Sequence, residues 1–171
     1  RVYQGSGLPR LVERSGLAGM AGVRPLYRLV RPIAETAARV RPQGAGAADL
    51  ELFVGCMGEL AQGRALVAAR ALLERLGLRV RVPAALACCG AMLHHNGLTA
   101  DARRWRAAVA RRPGDPPLVG LASACVAELR EAAGSADTRE FCDWLDQVPA
   151  LDGLRFRPLA RRVLVHEPCS H

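Results

Sequence analysis

The rhythm of hydrophobic and polar positions changes at Asp49. Residues 1 to 48 scatter short apolar groups among glycines and prolines, with Gly5, Pro9, Gly16, Pro25, Pro32, Pro42 and Gly46 interrupting any period. Residues 26–30 and 32–40 have room for a helical turn or two, since Pro is tolerated at a first helical position. From Asp49 onward, apolar runs at 50–54, 78–82, 117–122 and 162–165 read as strands, separated by segments of helical period. A helix is expected over 59–76, with Leu66, Ala69, Leu73 and Leu76 on one face and Gly77 as its stop. Another is expected from Thr99, as its cap, to Arg111, before Pro113, Pro116 and Pro117 break the pattern. Helices near 124–133 and 136–147 complete the alternation. This order predicts an α/β domain with a mainly parallel sheet and helical crossovers, preceded by an irregular or helical linker.

The same pattern places cysteines where chemistry is usually found. Cys56 follows the first strand, Cys88-Cys89 follows the second and Cys125 follows the third, with 31 residues between Cys56 and Cys88 and 35 between Cys89 and Cys125. In a parallel sheet the carboxyl ends of the strands lie along one edge, so thiols far apart in sequence converge. Thiolate is the metal-binding form of cysteine, and a tetrahedral sulfur set means zinc or an iron-sulfur cluster. A helix starting near 57–59 would favour thiolate at Cys56 by about one kcal/mol or less. The plainer reading is four buried cysteines acting as small apolar residues. Cys142, between Phe141 and Asp143 on an amphipathic helix, is assigned to core packing.

A lone Cys, about thirty residues, Cys88-Cys89-Gly90, a similar spacer and Cys125 together resemble the cysteine-rich CCG domain of heterodisulfide reductases, lactate-utilisation proteins and the glycolate oxidase iron-sulfur subunit. The text is more similar to the last group. Residues 88–97 (CCGAMLHHNG), 165–169 (VHEPC) and the opening 2–8 (VYQGSGL) look like its signatures. Heterodisulfide reductases carry Cys-x-x-Cys at the last site, whereas here Glu128 stands three residues after Cys125. The resemblance implies a Rossmann-like cysteine-rich domain in which Cys56, Cys88, Cys89 and Cys125 hold an iron-sulfur cluster of the 4Fe-4S type, zinc at this first site being the alternative. It implies a linker over 1–48 after a ferredoxin-like domain, a first repeat over 49–161, and the start of a second over 162–171, with Cys169 as that repeat's first ligand. Since the sequence starts at Arg1 and stops two residues after Cys169, it is expected to be a piece of a longer protein. The implied activity is electron transfer from flavin-containing subunits of a glycolate or related 2-hydroxy acid oxidase towards membrane quinone.

Around the cysteines, His94 and His95 either tune or protonate the site or simply cap the next helix, and His166, inside the last motif, is a further candidate to hydrogen-bond around a metal site. Gly90 is expected to serve close backbone approach or a positive φ. Glu128 reads as an exposed helix residue more readily than as a carboxylate ligand, and Trp105 and Trp144 are assigned to packing. No Ser-His-Asp set, phosphate-cradling loop or paired carboxylates stand out. The net charge of +8 is carried entirely by arginine, and only seven residues are aromatic, with no basic-aromatic interleaving; nucleic acid is therefore not an expected partner. Residues 1–49 hold +5 of that charge, which suits contact with an anionic membrane surface or acidic partner. No apolar run reaches the roughly 18 residues of a membrane span. Six cysteines in this length suit a reducing cytoplasm, with peripheral contact at the inner membrane face as an addition.

Overall fold

In the computed structural model, residues 46–83, 88–133 and 137–165 are described, with Leu11, 14–20, Gly22, Arg24, Pro25 and Val40 from the preceding stretch. The elements run β1 (Leu50–Phe53), α1 (Gly58–Ala61), α2 (Gly63–Arg75), β2 (Val80–Arg81), α3 (Ala91–His95), α4 (Thr99–Ala107), β3 (Leu118–Gly120), α5 (Ser123–Ala133), β4 (Thr138–Glu140) and α6 (Phe141–Leu145), with 3-10 turns at Leu17–Gly19 and Pro149–Gly153. Every strand pairing is parallel and the sheet order is β2-β1-β3-β4. This is the expected α/β architecture.

Because the chain leaves β1 for β2 on one flank and returns past β1 to β3 on the other, the sheet reverses direction between β1 and β3. Crossovers of one hand then lie on opposite faces. The core divides accordingly. Leu50, Leu52, Val80, Val82 and Val119 pack with Leu66 and Leu73 of α2, against which Phe141, Trp144 and Leu145 of α6 lean. Phe53 and Leu118, one step out of phase on their strands, pack on the other face with Cys89, Ala91 and Leu129. Each fully buried leucine contributes about 1.5–3 kcal/mol.

Glu51 sits between buried leucines on β1, and its carboxylate is held by Arg81 Nη2 at 2.7 Å and Arg111 Nη1 at 3.1 Å. Arg81 is its register partner on β2. Arg111 also donates to the Pro116 carbonyl, so the segment between α4 and β3 is tied to the middle of the sheet.

Several boundaries differ from expectation. The helix over 59–76 is two helices, since Gln62 takes φ −126° between them. Gly77, at φ 82°, stops the second as expected, with the Leu78 N–H donating back to Leu73 O. Thr99 is the first helical residue of α4; Leu98 occupies the cap and no side chain caps it. That helix ends at Ala107, because tighter i→i−3 bonds from Ala108 and Val109 close it and Arg111 is drawn to Glu51. The expected helix over 136–147 begins only at Phe141, since residues 138–140 pair with β3 as a strand. The expected strand over 162–165 is absent: the segment joins no sheet, and Leu164 is fully exposed. A strand needs a neighbour for its backbone groups, and neither sheet edge takes this one. Trp105 is half exposed and not a packing residue, whereas Trp144 does pack. Cys142 is exposed, correcting its assignment to the core: α6 turns Phe141, Trp144 and Leu145 inward and Cys142 out.

Candidate functional site

The four cysteines of the Cys-x31-Cys-Cys-Gly-x34-Cys pattern meet at the carboxyl edge of the sheet, beside the reversal between β1 and β3. This is where ligands of open α/β sheets bind. Cys56 lies in the turn after β1, Cys88 and Cys89 precede α3, and Cys125 is in the first turn of α5. Their sulfurs stand as two pairs: Cys56 with Cys88 at 3.6 Å and Cys89 with Cys125 at 3.1 Å. Among the described residues, no three or more His, Cys, Asp and Glu side chains are gathered closely enough to hold one metal ion as they stand.

The pairs are electrostatically joined nonetheless. Cys89 and Cys125 are hydrogen-bonded to each other through their sulfurs. The hydrogen bond from the Cys125 thiol, helped by the Ala91 N–H, lowers Cys89 to about 6. Cys125 is correspondingly pushed far above the ordinary thiol range, by that shared bond, by burial, and by the charges of Cys89, Cys56 and Cys88. Burial raises Cys88 as well, against the Gly90 N–H, which lies 3.4 Å from its sulfur. Four cysteine sulfurs at one sheet edge are a soft donor set, and their chemistry fits a zinc ion or an iron-sulfur centre.

Gly90 explains the tightness of the loop. Its φ is 82°, as expected, and a Cβ built there would stand 2.8 Å from the Ala102 carbonyl oxygen and 3.2 Å from the Ala102 Cα. The close backbone approach is therefore to the middle of α4. It lets α3 start immediately after the cysteine pair.

Glu128 is not an exposed helix residue, as its sequence context suggests, but nearly fully buried. Its oxygens meet His94 Nδ1 at 2.9 and 3.0 Å and Arg106 Nη1 at 2.6 Å. Neither the arginine nor the pairing is visible in local sequence. The only signal was the offset of three from Cys125, which puts both residues on the inner face of one helix. His95 is exposed and stacks on His94 with ring centroids 5.7 Å apart. His166 and Cys169 lie outside the described residues.

No curated protein and no solved structure matches the chain. Residues 50–130, from the first strand through the helix that carries Cys125 and Glu128, match the family model described as the CCG cysteine-rich domain.

Proposed function

We propose that this domain holds an iron-sulfur centre on Cys56, Cys88, Cys89 and Cys125 and passes electrons singly, within a flavin-dependent 2-hydroxy acid oxidase of the glycolate type. The observation that carries the reading is the convergence of four cysteine sulfurs, in two electrostatically linked pairs, at the switch point of a parallel sheet. The match to the cysteine-rich family over that stretch supports it, since such domains occur in iron-sulfur proteins of oxidoreductases. The 4Fe-4S type is part of the proposal, as is a second site beginning at Cys169.

In this role the chain does not touch the hydroxy acid. A flavin-bearing subunit oxidises it, and the electrons continue towards quinone. The chain's own residues set the potential: Gly90 donates its N–H towards sulfur, apolar packing from Phe53 and Leu129 shields Cys89, and the Glu128 cluster sets the local charge. Among the described residues no helix is long and apolar enough to cross a membrane, so contact with the inner membrane face would be peripheral, through the basic segment before residue 49.

A structural zinc site is the second reading, favoured by one observation. The sulfurs already approach within 3.6 and 3.1 Å inside each pair, at or below the edge of about 3.8 Å of a tetrahedron with Zn–S bonds of about 2.3 Å, so bringing the two pairs together would complete a four-sulfur zinc set. Heterodisulfide chemistry is less favoured, because the position of the additional cysteine is taken by Glu128, whose oxygens are engaged by Arg106 and His94. Iron, zinc and acid-labile sulfide analysis of anaerobically purified protein separates the readings. Iron with matching sulfide supports electron transfer; zinc without sulfide overturns it.

A further inference from the structure

One cluster beside the sulfur site is not explained by metal binding. Glu128, one turn after Cys125 on α5, has a side chain only 3% exposed and is held between His94 and Arg106. A buried carboxylate left alone would cost several kcal/mol, so its two partners are structural necessities. Their charges are not equivalent. Arg106 is a permanent cation that balances Glu128, while His94 adds a charge only when protonated. With Nδ1 donating to Glu128, His94 has Nε2 left for proton exchange, and its side chain is 39% exposed.

His94 is also close to the cysteines. Its backbone N–H donates to Gly90 O at 2.9 Å, so the residue sits one helical turn, about 6 Å of axis, beyond the Cys89-Gly90 loop. The Glu128 charge reaches Cys89, raising its thiol against the hydrogen bonds that lower it. The groups facing His94 are Arg106 from α4, Glu128 from α5 and His95 from its own helix, with Cys89 beyond Glu128.

We propose that His94 is a positioning residue that couples proton uptake to reduction of the cysteine-held centre, with Glu128 fixing its ring and Arg106 holding Glu128 in place. This rests on the electron-transfer reading above. When the partner's reduced flavin delivers one electron, the cysteine site gains one negative charge; His94 then takes one proton from water at Nε2, and the local charge is unchanged. Linkage requires that the proton strengthen electron binding by the factor with which the electron strengthens proton binding.

The test is the midpoint potential of the anaerobically purified, metal-loaded protein between about pH 5 and 8, the range in which histidine charge changes occur. The wild type is expected to lose reducibility as pH rises, approaching tenfold per pH unit, or about 59 mV for one electron. His94→Gln keeps an N–H for Glu128 but does not titrate, and is expected to flatten the slope at unchanged iron and sulfide content. His95→Gln is expected to keep it. In the wild type, the imidazole resonance of His94 is expected to titrate at higher pH after reduction, by the same factor. A wild-type slope near zero, a slope retained in His94→Gln, or a His94 titration unmoved by reduction would overturn the proposal while leaving the iron-sulfur reading intact. Absence of iron and sulfide would overturn both.

Discussion

Replacing Gly90 by Ala tests how the cysteine loop is held. Two costs combine. At φ 82° an alanine pays the left-handed penalty of about 1–2 kcal/mol. Its Cβ would also stand 2.8 Å from the Ala102 carbonyl, and rigid backbone cannot yield as a side-chain tip can. Ala102 is completely buried, so α4 must move against the sheet, adding about 1–3 kcal/mol of overpacking. The expected loss is therefore about 2–5 kcal/mol. Gly77 provides the control, since it has the same φ of 82° with nothing within 4 Å of the added atom. Gly77→Ala is expected to cost only the first part, about 1–2 kcal/mol. Urea denaturation followed by circular dichroism gives both values. Equal losses in the two variants would refute the packing argument, and with it the claim that α3 and α4 hold the cysteine pair in place. Since Cys88 and Cys89 directly precede Gly90, metal content is expected to fall in Gly90→Ala and not in Gly77→Ala.

Glu51→Ala leaves Arg81 and Arg111 facing each other without their shared carboxylate, and is expected to cost about 2–3 kcal/mol in the same denaturation assay, a partly exposed version of breaking a buried pair. Asp49 is lowered to about 2 by its hydrogen bonds from Arg79, so it stabilises the fold above the ordinary carboxylate range, near 3.8, and that contribution disappears as pH falls through 2. Asp49→Asn is accordingly expected to flatten the dependence of stability on pH between those values and to leave that dependence unchanged near neutrality. Cys142→Ser is expected to stay within about 0.5 kcal/mol of the wild type in the same assay and to keep its metal, since Cys142 is exposed and belongs to neither sulfur pair.

The strand-helix alternation was legible because apolar runs such as Leu50 to Val54 and the Leu66, Ala69, Leu73 face carry their periods locally. The convergence of four cysteines followed from that topology, since strand ends share an edge. What escaped depends on contacts made across the fold. β4 is three residues, Thr138–Glu140, with no apolar period; only the exposed bonding edge of β3 makes it a strand. Residues 162–165 show the reverse, having strand composition but pairing with neither edge of the sheet. Glu128 looked like a solvated helix residue because its neutralising partners, Arg106 and His94, lie 22 and 34 positions away. Cys142 was misplaced for a simpler reason: a five-residue helix has too few turns for its buried face to be read from period alone.

The central claim is that the four converging cysteines hold a redox-active centre. Electron paramagnetic resonance of dithionite-reduced, anaerobically purified protein, comparing wild type with Cys88→Ser and Cys142→Ser, tests it most directly. The expected result is an iron-sulfur signal in the wild type that persists in Cys142→Ser and is lost or altered in Cys88→Ser. A wild type that is silent and contains zinc alone, or a signal indifferent to Cys88→Ser, would contradict it.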